Sequence, residues 1–285
     1  MSRVGSPAVS PARTTSDADL KGPLDSAWFK LAWATEHLKV LAADIEEFLD
    51  SDENEVVAER ETDSRYVLRL KMGPVPTVRW GLILGDAIHG LRGALDHAVW
   101  QTVLRDNGGA PATKRERNRI QFPIYDSPES FHKATLLRYV GAHSRTILDE
   151  AQPYHRGKHH PLKVIAALSN DDKHRLLIHG LCSLNEGAYK FRVGHNESIA
   201  SVSEPVVTVR TEDPLEDGAV LGYIDVEANG PDPQLHIQCE LPGFIAFAAR
   251  DGVVIELGTV GKLAEYVNLV IKRFDLLFQG LVPRP

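Results

Sequence analysis

The chain is 285 residues long, 43% hydrophobic and 25% charged, the proportions of an ordinary globular protein with apolar mass for one large domain or two small ones. Its formal net charge of -7 excludes sequence-independent wrapping of nucleic acid, which needs a basic surface, and leaves room only for a local basic pocket. Its two cysteines, Cys182 and Cys239, stand far apart without metal-type spacing, which fits buried thiols in a reducing cytoplasm.

Residues 1–22 are rich in Ser, Ala, Pro and Arg, carry no continuous apolar run and read as a disordered tail; no later run reaches membrane-spanning length. Asp25 or Ser26 is placed to cap a long amphipathic helix, in which Trp28, Leu31, Leu38, Leu41, Ile45 and Phe48 recur at three- and four-residue steps. Over residues 54–72 the period falls to two on either side of Thr62-Asp63-Ser64, which predicts a β-hairpin inserted between helices. Pro74 and Pro76 close it.

The stretch from Gly81 to Trp100 organises the rest. Leu84, Ile88, Leu91, Leu95 and Val99 fall on one arc of a helix that runs to about Arg105 and stops at Asn107-Gly108-Gly109. The other side holds Asp86, His89, Arg92, Asp96 and His97, with no Lys or Glu anywhere in the stretch. Gly85, Gly90 and Gly93 each cost about 1 kcal/mol against alanine in a helix, so close approach of another backbone or a ligand is expected. The pattern predicts a helix buried on both sides, its polar residues facing a second polar element.

A basic loop with Lys114, Arg115, Arg117 and Arg119 follows, and Ser127-Pro128 sets a helix start with Pro at the first position. A further short helical stretch ends near Asp149 and Glu150. The tract of His155, His159 and His160 reads as a surface loop, after which Pro161 opens a helix expected to stop at Ser169-Asn170. The polar run from Asn170 through Lys173 and His174 to Arg175, between two apolar runs, is the expected partner of the first polar face. From Leu176 onward short alternating runs predict antiparallel strands, and Leu263, Tyr266, Val267, Val270, Phe274 and Leu277 predict a closing helix over 261–278.

The fold class expected is therefore α+β. A helical region over 23–178 carries the hairpin, and an antiparallel β region over 179–285 ends in a helix that packs back on it.

Arg92 and His97, separated by four residues on a helix, resemble the motif of the HEPN superfamily (higher eukaryotes and prokaryotes nucleotide-binding), whose ribonuclease members carry it on an α-helical domain. The resemblance covers at most residues 25–178. It implies metal-independent RNA cleavage without a cofactor, in a homodimer: His97 acts as general base on a 2′-hydroxyl, Arg92 stabilises charge on the phosphate, and His174 supplies a second acid. Asp86, His89, Asp96, Lys173 and Arg175 then stand on the substrate side. The longer pattern, Gly85 to His97 with Asn170 to Arg175, is also similar to a group of bacterial proteins and implies no activity. Two other readings stay open. Asp86 and His89, one turn apart, pair in a metal-dependent hydrolase, or Asp86, His89, Arg92 and Asp96 form a buried network in a binding or structural protein.

Overall fold

The computed structural model describes residues 21–157, 160–172, 180–184, 190–208, 216–240, 243–248 and 254–281. The expected tail over 1–22 lies almost wholly outside the described residues, as do Lys158, His159 and the run from Lys173 to Arg175.

Two long helices form the centre, α1 (Asp25–Leu49) and α2 (Thr77–Asp106). Leu31, Ala34, Leu38, Leu41 and Ile45 make the buried stripe of α1. Asp25 does not cap it by reaching forward: its carboxylate accepts from the backbone N–H groups of Lys21 and Gly22, upstream of the helix. Contacts between Asp44 and Arg79, Ala34 and Gly90, and Lys30 and Gly93 run in opposite directions along the two helices, so the pair is antiparallel. At its far end Trp80, fully buried, meets Phe48 edge to face at 5.4 Å. The helix stops where expected, with Gly108 at φ 69°, a conformation that side chains with a Cβ resist.

Short helices follow: α3 (Lys114–Arg117), α4 (Pro128–His132), α5 (Ala142–Glu150) and α6 (Pro161–Asp172). The carboxylate of Asp106, at the end of α2, accepts from Gly141 N–H at 2.9 Å and Ser144 Oγ–H at 2.5 Å, which supplies α5 with its missing N-terminal acceptor. The helix α6 runs two residues past the expected stop.

The hairpin forms as predicted, β1 (Glu55–Thr62) against β2 (Arg65–Lys71). Beyond it come β3 (Gly180–Leu184), β4 (Lys190–His195), β5 (Ile199–Val202), β6 (Val206–Val207), β7 (Val220–Ala228), β8 (Leu235–Glu240), β9 (Gly243–Ala248) and β10 (Val254–Glu256), all paired antiparallel. Strand β7 pairs directly with β2, in the order β1-β2-β7-β5, so the hairpin and the C-terminal region share one sheet. Arg65 fixes that join by gripping Asp225 through Nε and Nη2 at 2.7 and 3.1 Å. The closing helix α7 (Leu257–Phe278) packs on α1, α2, α5 and α6. Among the described residues no helix is long and apolar enough to cross a membrane.

Candidate functional site

Helix α2 divides into three sectors. Leu84, Ile88, Leu91 and Leu95 fill the core. Two of the three glycines face α1: a Cβ on Gly90 would sit 2.9 Å from the Cβ of Ala34, and one on Gly93 would sit 3.1 Å from Cδ of Lys30. At Gly90 and Gly93 the close approach read from the glycines is therefore real, and the element approaching them is α1.

That arrangement corrects the expected burial of Asp86 and His89. With α1 on the glycine side and the core behind, the sector carrying these two residues is left on the surface, and both are exposed. Among the described residues no three of His, Cys, Asp and Glu come together around them.

Arg92 and Asp96 behave differently. Their side chains are only 18% and 28% exposed, and they hold one residue between them. Nη2 of Arg92 donates to the Phe122 carbonyl at 2.7 Å, the Phe122 N–H donates to Oδ1 of Asp96 at 2.7 Å, and the two side chains lie 3.5 Å apart. Phe122 belongs to no helix or strand, so without this clamp both polar groups of its buried backbone would lack partners. The next residues are held the same way. Gln152, fully buried, donates to the carbonyls of Pro123 and Leu148 and accepts from the N–H of Tyr125.

The clamped segment forms one wall of a polar cleft of about 520 Å³, with Arg92, Asn118, Arg119, Gln121, Ser169 and Asn170 on its sides. None of the described residues that line it is Asp or Glu. Asn170 and Ser169 belong to α6, which packs on α2, so the start of the expected polar run shares a cleft with Arg92. For Asp171 and Asp172 the helical backbone alone is described, and Lys173, His174 and Arg175 lie outside the described residues.

The stretch beside the cleft, α3 and the residues after it, is basic. Lys114, Arg115, Arg117 and Arg119 fall within six residues, and the single acid among them, Glu116, is occupied elsewhere. It closes a capping box with Thr113 and accepts from the Tyr139 hydroxyl at 2.6 Å. These bonds, the Tyr139 one foremost, hold its carboxyl down at about 2. Arg117 is bound to the carbonyls of Pro111 and Ala112. No ion pair among the described residues joins Lys114, Arg115 or Arg119 to a carboxylate.

His97 does not line the cleft. At about 100° per residue it points roughly 140° around the helix from Arg92. Burial lowers its pKa, with a smaller push in the same direction from Lys30 and an opposing pull from Asp96, so the ring is neutral at pH 7. The structure thus pairs Arg92 with Asp96, sets Arg92 and Asn170 in one cleft, and leaves His97, His89 and Asp86 outside it.

Comparison with known proteins yields no relative: no family model, curated protein or solved structure matches this chain. The functional reading rests on the site's own chemistry.

Sequence reasoning missed Gln152 and gave no role to Arg119, Asn118 or Gln121. The density of arginine and lysine around residues 114–119 in an acidic chain was the signal available. A second correction concerns His160, read as part of a surface loop. It is 2% exposed, its Nδ1 accepts the Leu162 N–H at the start of α6, and its ring meets Tyr266 at 4.9 Å. The residue before Pro161 is the position from which a side chain can cap that helix, and the cap takes it inside.

Proposed function

We propose that this chain is a non-catalytic binding protein whose ligand carries phosphate, held in the cleft between α2, the segment over 118–125 and the end of α6. The observation that carries this reading is the lining: Arg92, held in place by the Phe122 carbonyl and by Asp96 behind it, and Arg119, without an acid partner among the described residues, share a cleft with three side-chain amides, and none of its described lining residues is Asp or Glu. A guanidinium binds two phosphate oxygens at once, and amide N–H groups add neutral donors, so the cleft favours a phosphate anion over a cation or an apolar molecule. The volume suits a nucleotide or one unit of an RNA strand. Cleavage of the kind expected from Arg92 and His97 asks for both on one phosphate, and their divergence around α2 favours binding alone.

Fluorescence anisotropy with a labelled single-stranded RNA, competed with a nucleoside monophosphate and with free sugar, tests the reading. Binding is expected to weaken with salt and to fall roughly tenfold in Arg119→Glu, the effect of one lost charge-assisted contact. Equal affinity in the variant, or competition by the uncharged sugar alone, overturns it. So does cutting of the RNA in excess chelator to 2′,3′-cyclic phosphate ends by wild type and not by His97→Ala, which establishes the ribonuclease instead.

A further inference from the structure

A groove of about 970 Å³ runs along the surface between α1 and α2. Trp33 and Val40 wall it on one side and Val78 and Leu82 on the other, with Trp33, Val78 and Leu82 51%, 58% and 55% exposed. These three side chains together show roughly 300 Å² of apolar surface, well short of the ~800 Å² per partner that a stable protein interface buries. The volume falls in the range of small-molecule sites. Size therefore points to a small ligand with an apolar body.

Charge decides what that body carries. Glu36, His37, Arg79 and Asp86 also line the groove. Arg79 is spent on Asp44, which it grips through Nε and Nη2, and Glu36 pairs with Lys39 at 3.3 Å. His37 meets Trp33 edge to face at 5.1 Å. Asp86 is exposed, and no described residue pairs with it, so the charge left over in the groove is negative.

The polar groups gather at one end. The register of the helix pair, fixed by Ala34 against Gly90 and Asp44 against Arg79, sets His37 level with Asp86 and Trp33 about one turn, roughly 5 Å, farther along. The contact with His37 occupies at most one face of Trp33, and a free indole face attracts a cation. In the other direction Leu82 and Val78 follow Asp86 at one-turn steps, about 12 Å of apolar wall.

We infer that this groove binds a small amphiphilic cation, an ammonium group on an alkyl chain of medium length. Its head lies between the Asp86 carboxylate and the Trp33 ring, and its chain runs along Leu82 and Val78 opposite Val40. A carboxylate on the same chain would set its charge beside Asp86 and be repelled, and an uncharged chain would gain from burial alone. The inference uses no residue of the polar cleft and does not depend on what the cleft binds.

Isothermal titration of the full chain with decyltrimethylammonium, decanol and decanoate, each below its micellar concentration, tests it. The cation is expected to bind one per chain and at least roughly tenfold tighter than decanoate, with decanol between them. The chain's net charge of -7 attracts any cation weakly, so the preference must also respond to the groove itself. Asp86→Asn, at an exposed position that leaves circular dichroism unchanged, should bring the cation to within about threefold of decanol. Leu82→Glu sets a carboxylate in the path of the chain and should weaken decanol at least roughly tenfold. No binding by the cation, equal or tighter binding of decanoate, a preference that survives in Asp86→Asn, or decanol binding untouched by Leu82→Glu each overturns the inference.

Discussion

Arg92→Met tests what the central arginine contributes, because methionine keeps the apolar stem and removes only the guanidinium. The loss has two parts. The bond to the Phe122 carbonyl at 2.7 Å is charge-assisted, and such bonds contribute about 1.5–3 kcal/mol; the 18% exposure of Arg92 sets the lower half of that range. The contact with Asp96 at 3.5 Å is a partly exposed helical pair and adds about 0.3–0.5 kcal/mol. The expected cost is about 2 kcal/mol, read by urea denaturation followed by circular dichroism.

Asp96→Ala removes the acceptor of the Phe122 N–H and should cost about 1 kcal/mol. Since both side chains hold the same residue, the first substitution frees the segment and the second then has less to lose. The double variant should fall short of the sum by about 0.5–1 kcal/mol. A cost for Arg92→Met below about 0.5 kcal/mol, or strict additivity, would refute the clamp. Arg92 would then be a cation of the cleft with no part in folding.

Two other expectations follow from contacts already described. Gly90→Ala gains about 1 kcal/mol of helix propensity, yet its Cβ would lie 2.9 Å from that of Ala34, so net destabilisation of about 1 kcal/mol is expected, reversed in the double variant with Ala34→Gly; thermal melts of the three chains check it. His160 has its pKa lowered from 6.5 to about 4, by burial first and then by Arg156 and His155. Between those values the unfolded chain takes up a proton that the folded chain refuses. Stability should therefore fall as pH drops from 6.5 to 4 and level off below, by at most about 3 kcal/mol, and the difference between wild type and His160→Phe across that window isolates the effect.

What was legible in the sequence is what local periodicity encodes. The three-to-four spacing of Leu31, Leu38, Leu41 and Ile45 gives α1, the alternation around Tyr66, Leu68 and Leu70 gives β2, the short runs after Leu176 give antiparallel strands, though none stands out at β3 or β5, and α7 starts four residues ahead of the helix expected over 261–278. Pairing is another matter. Nothing near Val67 announces Tyr223 as its neighbour in the sheet, because a strand edge offers the same backbone groups to any partner. The site shows the same divide. That Arg92 and Asp96 are partnered followed from the cost of leaving them bare, but their partner is the backbone of Phe122, and backbone groups carry no signature of residue type.

The absence of Lys and Glu between Gly81 and Trp100 was read as burial on all sides. One sector is open, with Leu82, Asp86 and His89 on the surface. The same absence fits a surface that is apolar in order to be covered, and sequence cannot separate that case from a core.

Leu82 and Arg92 lie ten residues apart on α2, about 15 Å along its axis, so the apolar groove and the polar cleft occupy different levels of one helix. Their chemistry differs as well: one is apolar and walled by α1, the other polar and walled by the segment that Arg92 clamps. Two levels of one helix have a testable consequence. Arg119→Glu should weaken RNA binding, measured by anisotropy, while Leu82→Glu should leave the affinity unchanged. Equal loss of affinity in the two variants would mean that the apolar groove takes part in binding, and the two surfaces would have to be redrawn as one.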